Sequence, residues 1–174
     1  MKSETGKRPE AIVYTSQTGH TRRYAELLAG QTGLPACPLA QAERQLAPGT
    51  PVIYLGWVCA SHVKGYARAA RRFSVCAVGG VGLCPTGAMQ TEVRRATAVP
   101  AQVPLFTLQG SIDRSRLRGM NGLAIRMLTS GLAGQKQRTP QEEQMLALLR
   151  QDTDCVSPAN LAGLLGWLQA QQEP

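Results

Sequence analysis

Histidine, acidic side chains and long apolar runs are all scarce in this chain, and each scarcity narrows the functions open to it. Two histidines, His20 and His62, occur in 174 residues. With no organised carboxylate or cysteine cluster beside them, no metal centre is expected. The five cysteines, at 37, 59, 76, 84 and 155, are odd in number and contain no CxxC pair. That usage fits a reducing compartment better than a disulfide scaffold. No uninterrupted apolar stretch approaches the roughly 18 to 20 residues that cross a bilayer, and the N-terminus lacks a signal-peptide hydrophobic region. The expected location is therefore cytoplasmic. Aromatic residues are 5% of the chain and are not interleaved with basic ones, so no specific nucleic-acid binding is expected. Acidic residues number 11 against 19 lysines and arginines, a formal charge of +8. This excess favours an anionic partner or surface without choosing its chemistry.

What is present reads as one domain, residues 10–174, behind a loose polar lead at 1–9; an apolar share of 43% is enough for a full core. Ala11-Ile12-Val13-Tyr14 reads as a buried strand. A helix over about 20–29 follows, with Tyr24, Leu27 and Leu28 on one side, and Leu34 to Leu39 supply a short second strand. Pro51 to Leu55 form a third strand, broken by Gly56, and a basic helix runs from about Val63 to Arg72. Phe73 to Val78, a helix within 86–97 and Pro104 to Leu108 continue the alternation. Continuous apolar strands alternating with helices predict a parallel sheet covered on both faces. Thr139-Pro140-Gln141-Glu142 and Ser157-Pro158 mark two late helix starts, the second leading into Leu161, Leu164, Leu165 and Leu168 at helical spacing, with Trp167 at the edge of that stripe.

The most informative segment is Thr15-Ser16-Gln17-Thr18-Gly19-His20-Thr21, between the first strand and the first helix. A loop entering a helix turns several backbone N–H groups toward one point, and the helix start adds partial positive charge. Ser16, Thr18 and Thr21 add hydroxyls, and Gly19 lets the backbone approach closely. Such a cup can hold a phosphate monoester without lysine or metal. The spacing is neither GxxxxGK[ST] nor GxGxxG.

On these residues the chain resembles the flavodoxin-like family, since Ser16-Gln17-Thr18-Gly19-His20-Thr21 matches its FMN phosphate pattern [S/T]-x-T-G-x-T. It is also similar to the flavodoxin-domain proteins related to menaquinone-dependent protoporphyrinogen oxidase. The similar features are Tyr54-Leu55-Gly56-Trp57, then Val63-Lys64-Gly65, and Leu108-Gln109-Gly110-Ser111-Ile112-Asp113. The resemblance implies an α/β three-layer sandwich with a five-stranded parallel sheet in the order 2-1-3-4-5, and FMN at the carboxyl ends of the strands. It implies that Ser16, Thr18, Gly19 and Thr21 hold the phosphate, with Gln17 and His20 in the same loop. Loops after the third and fourth strands, 56–61 and 79–87, would flank the flavin ring. They bring in Gly56, Trp57, Val58 and Cys59, and Gly79, Gly80 and Gly82. Trp57 is a candidate to stack on the ring and Tyr66 a weaker one; Cys59 and Cys84 read as ordinary cysteines near its rim.

No catalytic residue is assigned. Lys64, Arg68, Arg71 and Arg72 make one helix face positive, suited to an acidic redox protein or to peripheral contact with anionic lipid. Arg94, Arg95, Arg114, Arg116 and Arg118 add charge suited to an anionic small molecule. The expected function is an FMN-dependent oxidoreductase exchanging electrons with a redox protein, a quinone or an anionic substrate. A pure electron carrier and a cofactor-free interaction protein are the alternatives.

Overall fold

A computed structural model describes residues 7–111, 120–150 and 153–171. The chain runs β1 (Ala11–Thr15), α1 (His20–Thr32), β2 (Ala36–Pro38), α2 (Leu39–Gln45), β3 (Pro51–Cys59) and β4 (His62–Val63). It continues through α3 (Tyr66–Arg72), β5 (Ser74–Gly82), α4 (Gln90–Thr97) and β6 (Leu105–Gln109). The helices α5 (Met120–Ala133) and α6 (Pro140–Arg150) follow, and a 3₁₀ turn at Pro158–Leu161 opens α7 (Ala162–Ala170).

The strands β2-β1-β3-β5-β6 pair in parallel in that order, and β4 adds antiparallel to the end of β3. Leaving out that two-residue addition, this is the expected 2-1-3-4-5 arrangement. Alternate side chains of β1 and β3 enter opposite faces. Ile12, Ile53 and Leu55 meet Tyr24 and Leu28 of α1 and Leu164 and Leu168 of α7. Val13, Val52 and Tyr54 meet Ala42 of α2, Tyr66 and Ala69 of α3 and Val93 of α4. The chain is thus an α/β three-layer sandwich of flavodoxin-like form, and burial on both faces explains why its strands read as unbroken apolar runs.

Several expected boundaries move, each for a local reason. The second strand stops at Pro38, and Leu39 opens a helix that sequence reasoning did not foresee, its Leu39 and Ala42 buried at i,i+3 spacing. Gly56 does not break β3: it lies buried within a nine-residue strand. A Cβ there would stand 2.5 Å from the Lys64 carbonyl oxygen and 2.7 Å from Val63 Cγ1. Glycine lets the returning hairpin lie against the strand. Gly79 and Gly80 likewise sit buried inside β5, and Gly82 ends it, so the expected turn at Gly79-Gly80-Val81-Gly82 is strand. A Cβ on Gly79 would meet Leu55 Cδ2 at 2.4 Å, so the glycine makes room for its neighbour's side chain rather than opening a loop.

The late helix starts form as expected. Thr139 and Glu142 exchange the reciprocal bonds of a capping box, and Ser157 accepts from the Ala159 N–H at the head of the 3₁₀ turn. A polar latch ties this return segment to the end of β6. Arg23 Nη1 donates to both oxygens of Asp154 at 3.0 Å, the Ser111 hydroxyl donates to Asp154 Oδ1, and the Cys155 N–H donates to Ser111 Oγ. Tyr24 donates to the Gln109 carbonyl and accepts from the Asn160 amide.

Candidate functional site

The segment Thr15–Gly19 leaves the C-terminal end of β1 and enters α1 as expected. Gly19 occupies the N-cap position at φ 96°, a left-handed conformation that glycine adopts at little cost. The helix has no side-chain cap and no acidic residue in its first turn. The positive end of the helix dipole is therefore directed at the loop with no acidic side chain of the first turn to offset it. Ser16 Oγ is buried and has no hydrogen-bond partner. A buried hydroxyl left unpaired is costly, and Ser16 is one of the residues that line the cleft beside this loop.

This loop forms one wall of a cleft of about 550 Å3. Tyr14 through Gly19 line it from β1 and the loop, Arg22 from α1, Pro38 to Ala40 from the β2–α2 junction, and Arg68 from α3. Arg22 Nε donates to Glu26 Oε1 at 2.7 Å, and Arg68 donates to both oxygens of Glu43. The guanidinium beside Glu43 holds that carboxyl below its ordinary value, and the pairing raises the Arg68 pKa. Hydroxyl-bearing residues, a helix start and two arginines with no carboxylate in the lining make a donor set that could hold a phosphate ester.

Behind the loop lies its support. Tyr54 donates to the Lys64 carbonyl at 2.6 Å, so its single proton is spent there and the Thr15 hydroxyl donates to the phenol oxygen at 2.7 Å. Burial pushes the Tyr54 pKa up to about 12. Gly65, at φ 82°, caps α3 against this pair; a Cβ there would fall 2.1 Å from the Tyr54 hydroxyl and 2.5 Å from Thr15 Oγ1.

The other expected site residues are distributed as follows. Ser16, Gln17, Thr18 and Gly19 face the cleft. Thr21 is buried at 2% exposure and, like His20, is not among the lining residues. His20 lies toward the end of β6, its Cβ 3.9 Å from where a Cβ on Gly110 would be. Trp57, Val58 and Cys59 form the outgoing arm of the β3–β4 hairpin, whose tip residues Ala60 and Ser61 both have positive φ. Lys64 Nζ sits 5.9 Å from the Trp57 ring centroid. None of Gly56, Trp57, Val58, Cys59, Gly79, Gly80 and Gly82 lines the cleft.

The positive helix face is partly spent internally. Arg68 pairs with Glu43, and Arg72 donates to the carbonyls of Glu43 and Leu46. Arg94 closes the end of α4 on the carbonyls of Val99, Pro100 and Val103. Arg114, Arg116 and Arg118 lie outside the described residues. Among the described residues no group of three or more His, Cys, Asp or Glu side chains gathers as a metal site, and no helix is long and apolar enough to cross a membrane.

Sequence reasoning missed Tyr14, Arg22, Pro38, Leu39, Ala40 and Arg68 as cleft residues and Tyr54 as the loop's support. Arg22 follows the loop motif directly. Tyr14 immediately precedes it, and the others come from elements brought beside the loop only by the sheet order. No protein-family model and no curated protein matches the sequence.

Proposed function

We propose that the chain is an FMN-binding redox protein, an oxidoreductase that passes electrons between its flavin and a partner or anionic substrate in the cytoplasm. The observation that carries this reading is the buried, unpartnered Ser16 hydroxyl at the mouth of an uncapped α1. A phosphate monoester would accept from it, from the loop amides and from the Thr18 hydroxyl.

In this reading Gly19 sets the loop's curvature, and Tyr54 and Gly65 hold Thr15 so that the amides converge. The flavin ring would lie at the carboxyl ends of β1 and β3, whose connections enter α1 on one face of the sheet and α3 on the other. Trp57 would shield one side of it from water. The bound flavin supplies the electron-transfer chemistry, and the protein supplies binding, orientation and solvent exclusion. Arg71 and Arg95 remain for an acidic redox protein or an anionic substrate.

Mild purification followed by an absorption spectrum tests the reading. Flavin bands near roughly 370 and 450 nm, with a flavin mass in the released cofactor, are expected. Folded protein that takes up no added flavin would refute it. Reduction and oxidation rates with a quinone, a porphyrinogen and an acidic electron-transfer protein then separate an enzyme from a carrier.

A further inference from the structure

We infer that the β3–β4 hairpin holds reduced flavin more tightly than oxidised flavin, through the Lys64 ammonium group beside Trp57, and so raises the reduction potential of the bound cofactor. This rests on the flavin reading above and adds to it a preference between the two charge states of the ring.

Strand register is the first ground. Thr15, where the phosphate loop begins, pairs with Gly56, and Trp57 is the next residue along β3. Beyond it the hairpin pairs Val58 with Val63 and Cys59 with His62. Val58 and Val63 pack into the core on the α3 side. Alternation then sends Trp57, Cys59, His62 and Lys64 to the opposite face, on the side where α1 covers the sheet. The Lys64 N–H donates to the Trp57 carbonyl at 2.9 Å, and Lys64 Nζ stands 5.9 Å from the Trp57 ring centroid. Trp57 is the side chain that shields the flavin in the reading above, so the ammonium group belongs to the same face.

Charge is the second ground. No aspartate or glutamate occurs from Arg44 to Thr91, the stretch that supplies β3, the hairpin, α3, β5 and the loop after β5. Of its cations, Arg68 is engaged by Glu43, and Arg72 by the carbonyls of Glu43 and Leu46. Lys64 is exposed and, among the described residues, forms no ion pair. His62 donates Nδ1–H to the Ala60 carbonyl at 2.7 Å, which leaves Lys64 as the fixed charge of this face. The oxidised flavin ring is neutral. Two electrons and one proton from a donor convert it to a ring with hydrogen at N5 and, near neutral pH, negative charge about N1. A neighbouring ammonium group favours that charged form. Because Lys64 is exposed, solvent and salt hold the effect to several-fold.

The test is an anaerobic redox titration of FMN, free and bound, with dithionite as reductant and a reference dye, and with circular dichroism confirming the fold. The difference between the two midpoint potentials gives the ratio of affinities for reduced and oxidised FMN, a tenfold ratio being about 30 mV for two electrons. The wild-type protein is expected to favour reduced FMN by about threefold or more. Lys64→Arg should keep that preference, Lys64→Gln should lose most of it, and Lys64→Glu should favour oxidised FMN. A wild-type ratio at or below one, or a ratio that Lys64→Gln and Lys64→Glu leave unchanged, would overturn this inference while FMN binding leaves the flavin reading standing. Folded protein that binds neither form of FMN would overturn both.

Discussion

The Thr15 hydroxyl donates to the Tyr54 phenol oxygen at 2.7 Å, and through that bond the last residue of β1, where the Thr15–Gly19 loop begins, is anchored to the third strand of the sheet. Because Tyr54 in turn donates to the Lys64 carbonyl, one side chain fixes the relative positions of the loop, the β3–β4 hairpin and the start of α3. The start of the loop is thereby held against the buried core beneath it.

Tyr54→Phe removes this bridge and leaves the Lys64 carbonyl without its donor. The expected cost is about 1 to 3 kcal/mol in urea unfolding, accompanied by weaker flavin binding. The pH dependence has a defined sign. The folded pKa of Tyr54, about 12, lies above its ordinary value of 10.0, so its contribution is complete below pH 10 and is lost as pH rises through 12. The stability gap between the two proteins should close over that window; a gap unchanged at pH 12 would contradict the assignment.

Gly65→Ala tests the same junction from the backbone side. The added methyl group meets the Tyr54 and Thr15 hydroxyls, and alanine resists φ 82°. A loss of about 2 to 4 kcal/mol is expected, whereas Gly30→Ala, inside α1 with open space around it, should be neutral or stabilising. Chemical denaturation of the two variants side by side decides the point.

Ser16→Ala separates a binding role from a folding role. Removing a buried hydroxyl that has no partner should raise the stability of flavin-free protein by about 1 kcal/mol. The same change removes a proposed donor to the phosphate and should weaken FMN binding by about tenfold or more. A variant destabilised without ligand would show that the hydroxyl serves the fold instead.

The latch at Asp154 governs the acid limb. Its hydrogen bond from Arg23, followed by that from Ser111, lowers its pKa from 3.8 to about 2. The stability it contributes is present above pH 3.8 and lost as pH falls through 2. Asp154→Asn should therefore flatten the acid unfolding profile between those values, read by circular dichroism, and leave the neutral range lower throughout.

Most of the sheet was legible in the sequence because strands buried on both faces leave unbroken apolar runs, as in Ala11–Tyr14 and Pro51–Leu55. The capping box at Thr139 and the leucine stripe of α7 were legible for the same reason: their signals are local. The glycines were misread, since Gly56, Gly79 and Gly80 look like turn residues until the side chains that pack against them are known. Helix α2 was missed because its apolar signal, Leu39 and Ala42, is only two residues long. Half of the cleft was legible, namely the loop itself. Its other wall, Pro38 to Ala40 and Arg68, comes from segments that only the 2-1-3 strand order brings beside the loop.

The central claim is that the loop after β1 grips a phosphate ester on a flavin, and comparing FMN with riboflavin tests it most directly. The two differ only in that phosphate. Fluorescence titration of flavin-free protein should give at least about a hundredfold tighter binding of FMN, a preference that Ser16→Ala reduces. Equal affinity for the two, or no binding of either by folded protein, would contradict the account.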